Sequence, residues 1–112
     1  MNSKVEVFKA LGDGNRLRIV CMLGVRDLCV CEINAVLNIS MSTISSHLKV
    51  LRNAGLVTSK KDGRWIIYSL NKKNTFIADI VNVTVSGMKS DETVAEDAQK
   101  LKYINPKNCA EH

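Results

Sequence analysis

The sequence predicts a mainly α-helical domain with one small β-hairpin, on three observations. Apolar residues recur at helical spacing through most of the 112 residues, as amphipathic helices require. Only residues 56–70 change period, into two β-branched and aromatic runs separated by Asp62-Gly63, a hairpin signal. The basic surplus is also local: residues 1–71 hold ten Lys or Arg against five Asp or Glu, while residues 72–112 hold six of each. A chain this short is one domain, of a size whose core an oligomer interface often supplements. The charge imbalance points to a polyanionic partner for its first part.

In chain order, Val5, Phe8, Ala10 and Leu11 predict a first helix ending near Gly12. Asp13 or Asn15 caps a second over 16–23, with Leu17, Val20 and Leu23 on one face and Gly24 stopping it. Cys21 lies just off that face, as a small hydrophobe at the edge of the core would.

Residues 27–38, DLCVCEINAVLN, form the next helix, with Leu28, Val30, Ile33, Val36 and Leu37 at helical spacing. Glu32 follows Cys29 by three, as in a capping box, so Cys29 takes the N-cap position. Ser, Thr, Asp or Asn caps better, because sulfur is a weak acceptor. What a cysteine gains there is ionisation, since the positive end of the helix dipole lowers a thiol pKa. Two thiolates at Cys29 and Cys31 make a site for a soft ion. Residues two apart on a helix diverge by about 200°, so both reach one ion only if Cys29 lies outside the helix or the first turn deforms. The plainer alternative is two ordinary part-buried cysteines.

After a turn at Asn38-Ile39-Ser40, a helix over 41–53 buries Ile44, Leu48 and Leu51, capped by Ser40 before it and Gly55 behind it. Its other face carries Ser42, Thr43, Ser45, Ser46 and Lys49, small hydroxyls and a cation. Two helices joined by a short turn, the second bearing such groups, describe a helix-turn-helix over 27–55. Hydroxyls of this kind, with Ser40, His47, Lys49 and Arg52, can approach bases and phosphates closely. The hairpin over 56–70 then reads as a wing with Lys60, Lys61 and Arg64 at its tip, placed to lie along the phosphates. Trp65 and Tyr68 are expected to anchor it to the core.

Residues 74–88 carry Phe76, Ile77, Ile80, Val81, Val83, Val85 and Met88, too many for one face of a small monomer. A twofold mate would bury Phe76, Ile77, Ile80, Val81 and Met88 together with Val5 and Phe8 of the first helix, making residues 1–11 and 74–103 the dimerisation helices of a single domain. Such a homodimer offers two recognition helices to successive major grooves of a pseudo-palindromic double-stranded DNA. Ser90-Asp91-Glu92 opens a last helix to about Tyr103, and residues 104–112 read as a loose tail bearing Cys109.

No run approaches the ~18 apolar residues that span a bilayer, nor is there a signal peptide, so a cytoplasmic protein without membrane contact is expected. In a reducing compartment four unevenly spaced cysteines are thiols or ligands rather than a disulfide framework. No nucleophile–base arrangement, phosphate loop or carboxylate pair marks an enzyme.

Taken together, FKALGDGNRLRIV, DLCVCEI, STISSHLKVLRNAGLV and KKDGRWIIYSL resemble the ArsR/SmtB family of metal-sensing winged-helix repressors, in its arsenical-resistance branch. The resemblance covers about residues 7–70. It implies a homodimer that holds its operator when metal-free and releases it when As(III) or Sb(III) binds, with no organic cofactor. It matches Cys29 and Cys31 to the inducer thiolates, and Ser42, Thr43, Ser45, Ser46 and His47 to the DNA-contacting stretch. Two positions depart from the family: Asn34 stands where a third cysteine is frequent, and Ser46 where Arg is frequent. A third ligand would have to come from Cys109, Cys21 or a small thiol, or be lacking. Cadmium, lead or zinc response and a thiol-redox response are the alternatives within the same fold. Cadmium and lead sensors of the family add cysteines from the N-terminal arm, and zinc sensors add imidazoles on the dimer helix. Residues 1–10 have no cysteine and residues 74–88 no histidine, which favours a soft trivalent ion.

Overall fold

The computed structural model describes residues 2–109. Helices α1 (Asn2–Leu11) and α2 (Gly14–Val25) lead to a two-residue strand β1 (Leu28–Cys29) and helices α3 (Val30–Leu37) and α4 (Met41–Asn53). Strands β2 (Val57–Asp62) and β3 (Trp65–Leu70) form the hairpin, and α5 (Thr75–Met88), α6 (Glu92–Leu101) and the short α7 (Pro106–Cys109) complete the chain. This is a winged helix-turn-helix, mainly α with a small antiparallel sheet.

Asp13, Ser40 and Asp91, which stand at helix starts in the sequence reading, act as caps, and so does Asn74, which that reading did not single out. Each accepts a hydrogen bond from the backbone N–H three residues on, satisfying donors that a helix start leaves open. Helix α4 ends in a Schellman turn: Leu56 N–H reaches Leu51 O at 3.0 Å, Gly55 N–H reaches Arg52 O at 3.0 Å, and Gly55 supplies the left-handed φ of 83°. Between α3 and α4, Asn38 takes φ 54°, a conformation asparagine tolerates better than most residues. The core beneath these turns joins Ile19, Met22, Leu28, Ile33, Ile44, Leu48, Leu51 and Leu56, all buried.

Several elements depart from the sequence reading. Gly24 does not stop α2, which continues to Val25; a Cβ at Gly24 would stand 2.9 Å from the Val85 methyls, so the glycine lets α5 approach. The hairpin turn is Gly63-Arg64 rather than Asp62-Gly63, since Asp62 still pairs with Trp65. Trp65 is not a core anchor: it lies at the wing tip with the Arg64 guanidinium 4.4 Å above its ring, while Tyr68 does pack on the core. Residues 104–109 are not a loose tail, because α7 packs against α3; residues 110–112 lie outside the described residues.

The sheet holds an unexpected strand. Its order is β1-β3-β2, with Leu28 opposite Tyr68 and Cys29 opposite Ile67. Two residues are too few for a periodic signal. The ladder nevertheless fixes the backbone of Cys29 to the wing.

The apolar excess of α5 is divided between two faces. Ile77 and Val81, expected at a dimer interface, are 5% and 1% exposed and belong to the core. Phe76 and Ile80 are half-buried, and Val5, Phe8 and Val83 are exposed. Phe8 meets Phe76 edge to face at a centroid distance of 6.2 Å, so α1 and α5 together present one apolar surface to solvent.

Candidate functional site

Cys29 is the N-cap of α3 in extended backbone, φ −92° and ψ 168°. It therefore lies outside the helix, and its sulfur comes 3.2 Å from that of Cys31 without any deformation of the first turn. Of the two ways for the pair to meet, displacement of Cys29 is the one adopted. Cys109, brought back by α7, adds a third sulfur: the Sγ atoms of Cys29, Cys31 and Cys109 all lie within 4.8 Å of one another. Cys31 and Cys109 are joined as a disulfide, with Cα atoms 5.7 Å apart, where the composition suggested thiols or ligands. Cys21 is not brought to the cluster. It is buried beside Gly24 and Val85, and burial pushes its thiol up to about 11.

The Cys29 thiol is also held above its ordinary value, chiefly because burial disfavours the thiolate. The lowering expected from the helix terminus is thus overturned: a cap that is 2% exposed loses more solvation than the dipole returns. Glu32 acts both ways: its backbone N–H lowers the thiol, while its carboxylate, which accepts the Cys29 N–H at 2.9 Å, raises it. Binding of an ion there would have to displace the Cys29 proton.

Glu32 is itself 1% exposed and needs a partner. Arg26 supplies one, donating from Nη1 to Glu32 Oε2 at 2.7 Å. From Nη2 it also donates to the carbonyls of Ile104 at 2.7 Å and Leu101 at 3.3 Å. The sequence contained the capping box but no sign of Arg26, whose partners are up to 78 residues away.

A cleft of about 780 Å³ opens beside the sulfurs, lined by Cys31, Asn34, Met41, Tyr103, Ile104 and Cys109. Asn34 donates from Nδ2 to Ile39 O in the turn between α3 and α4, and Met41 is the first residue of α4. The cluster thus adjoins the start of the candidate recognition helix on one side and, through β1, the wing on the other.

On α4 the predicted DNA-facing residues Ser42, Thr43, Ser45, Ser46, Lys49 and Arg52 are exposed, as are Ser40 and, on the wing, Lys60, Lys61 and Arg64. Their placement is not uniform. The Ser40 hydroxyl is committed to Thr43, accepting its N–H at 3.2 Å and lying 2.6 Å from its hydroxyl. Arg52 donates to Ser59 Oγ at 3.2 Å, tying α4 to β2. His47 is half-buried, with Nδ1 3.5 Å from Arg16 Nη1, and so faces α1 and α2. No helix among the described residues is long and apolar enough to cross a membrane.

Comparison with known proteins agrees with this architecture. Residues 13–59 match the family described as bacterial regulatory protein, arsR family. The arsenic resistance transcriptional regulator ArsR2 of Pseudomonas putida is 33% identical over 102 residues, covering 89% of this chain and 87% of that protein. The cadmium resistance transcriptional regulatory protein CadC of Listeria innocua is 41% identical over 80 residues, 70% of this chain and 66% of that one. A homodimeric winged helix-turn-helix DNA-binding domain from Mycobacterium bovis superposes with a TM-score of 0.67 at 26% identity, over 81% of this chain and 83% of that one. The match over most of both chains with a named regulator, on the same fold, makes this chain a member of the arsR family of bacterial transcriptional regulators.

Proposed function

We propose that the protein is a homodimeric repressor that grips operator DNA through α4 and the wing and lets go when As(III) or Sb(III) is held by Cys29, Cys31 and Cys109. The observation that carries this reading is the convergence of three sulfurs within 4.8 Å, from two positions at the head of α3 and one about eighty residues later. Soft thiolates without a neighbouring imidazole suit a trivalent metalloid better than a divalent ion that prefers four ligands. The likeness to an arsenic resistance regulator supports the same inducer, and that to a cadmium regulator makes cadmium the competing ion to test.

In the reduced form, arsenous acid condenses with three thiols to give one As–S₃ centre and three waters, so the thiol protons leave in the product. This answers the raised Cys29 thiol, because no free thiolate has to form first. Where Cys31 and Cys109 are joined, two equivalents of an external thiol open the disulfide before binding. Once bound, the ion ties α7 to α3 beside Asn34 and Met41, while Cys29 is paired with Ile67 of the wing. Both DNA-contacting elements are then coupled to one site, and a coupling of ~1–3 kcal/mol per site is typical of allostery.

Dimerisation is supported by the solvent-facing apolar surface of α1 and α5 and by the likeness to a homodimeric domain. A twofold pair presents two α4 helices to successive major grooves, and the basic wings to the flanking phosphates.

The test is operator affinity by fluorescence anisotropy under air-free reducing conditions. Arsenite should release the unsubstituted protein, and Cys31→Ser should bind operator and stay bound. Release of Cys31→Ser by arsenite would refute the site. The disulfide favours one second reading, release by oxidation. Peroxide without metalloid would then dissociate the complex, and dithiothreitol would restore it.

A further inference from the structure

Arg26 has a part that neither capping nor DNA binding explains. It is the C-cap of α2, and its guanidinium bridges two segments remote in sequence. One is Glu32, at 2.7 Å, which in turn holds the Cys29 N–H at 2.9 Å. The other is the end of α6 and the segment after it, through Ile104 O at 2.7 Å and Leu101 O at 3.3 Å. Cys109 lies five residues beyond Ile104. A planar fork of five donors can serve a carboxylate and two carbonyls at once, which a single ammonium cannot do in the same geometry.

We infer that Arg26 is a positioning residue that sets the third sulfur of the cluster, by clamping the chain leading to Cys109 against the capping carboxylate of the Cys29–Cys31 pair. The inference rests on the three-sulfur reading but concerns only how Cys109 is delivered. Apart from this clamp, the segment after Leu101 makes no side-chain hydrogen bond to the body of the protein among the described residues: Asn105 and Asn108 bond to each other and Asn108 to Tyr103. In the reduced protein the packing of α7 on α3 is what else holds it. Without the clamp, Cys109 is a thiol on a tethered segment, at a lower effective concentration over the pair. Because the bonds are charge-assisted, removing them should lower that concentration by about tenfold or more.

Two variants of the full chain test this. Arg26→Lys keeps a cation beside Glu32, so that α3 stays capped, but gives up the fork. Arg26→Gln removes both. Circular dichroism establishes folding, and Arg26→Lys carries the test if Arg26→Gln does not fold. The first readout is alkylation with and without arsenite, mapped by mass spectrometry. Cys29 and Cys31 should remain protected in the variants, while Cys109 becomes alkylated at least tenfold faster than in the unsubstituted protein. The second needs no metalloid: in glutathione buffers the disulfide to Cys109 should open at a potential about 30 mV higher, the equivalent of tenfold.

Protection of Cys109 and a midpoint both within twofold of the unsubstituted protein would overturn the role of Arg26 and leave the three-sulfur site standing. If arsenite protects no cysteine in the unsubstituted protein, the inducer reading fails instead. The glutathione midpoint then still decides whether Arg26 positions Cys109.

Discussion

Phe8→Ala should separate folding from assembly. Phe8 is 56% exposed in the protomer, and of the ~200 Å² that a phenylalanine side chain offers, roughly 110 Å² is therefore free to be covered by a mate. At ~25 cal/mol/Å² that is ~2.7 kcal/mol, and twofold symmetry counts it twice, to ~5 kcal/mol. Incomplete burial and the alanine methyl reduce this figure, so the dimer Kd should rise between about a hundredfold and several thousandfold. The protomer itself gives up the remaining roughly 90 Å², ~2 kcal/mol, and the edge-to-face packing with Phe76 at 6.2 Å, ~1 kcal/mol. Sedimentation velocity across a dilution series measures the first effect and thermal unfolding the second. Operator affinity should fall with the dimer, because two half-sites are no longer bound as one unit. A Phe8→Ala protein that dimerises as tightly as the unsubstituted one would remove the α1–α5 face from the interface and refute this reasoning.

Other perturbations have equally definite outcomes. Asp97→Asn breaks the bidentate bond to Arg18, both arms 2.9 Å. Breaking a buried pair costs ~3–5 kcal/mol, and since the Arg18 side chain is 27% exposed about 2 kcal/mol is expected, seen as a Tm lower by ~10 °C. Cys21, pushed up to about 11 by burial from an ordinary 9.0, keeps its proton in the folded state longer than in the unfolded one. Its contribution to stability is therefore complete below pH 9 and is lost as the pH rises towards 11. Denaturant titrations from pH 8 to 11 should show that part of the decline vanish in Cys21→Ala, which should still answer arsenite. Lys60→Ala with Lys61→Ala should reduce the slope of log affinity against log salt by ~1 for each phosphate that a protomer no longer neutralises, at unchanged dimer Kd.

The sequence was most legible where a local rule had a local cause. The bounds of α4 coincide with the periodic run over 41–53 because Ser40 and Gly55 close it at both ends. Asp13 and Asp91 likewise cap the helices they precede, and the capping box at Cys29 was readable from Glu32 alone. What could not be read depends on distance. Strand β1 exists because Leu28 and Cys29 find an edge at Tyr68 and Ile67, and no pattern within two residues announces that. Ile77 and Val81 share the apolar period of α5 with Phe76 and Ile80, and only packing against α2 decides which pair faces inward. The Cys29 pKa went the other way because the dipole is a property of the helix while desolvation is a property of the fold. Of the two cysteines named as possible third ligands, Cys21 and Cys109, it is Cys109 whose sulfur comes near the pair, carried there by α7, a four-residue helix too short to have been read from periodicity.

Whether Cys29, Cys31 and Cys109 hold one metalloid ion is tested most directly by reducing the protein without air, adding one equivalent of arsenite, alkylating, and mapping the protected thiols by mass spectrometry. These three should escape alkylation together, while Cys21 reacts at its metal-free rate. Alkylation of all four cysteines at their metal-free rates, or protection of Cys21 in place of Cys109, would contradict the three-sulfur site.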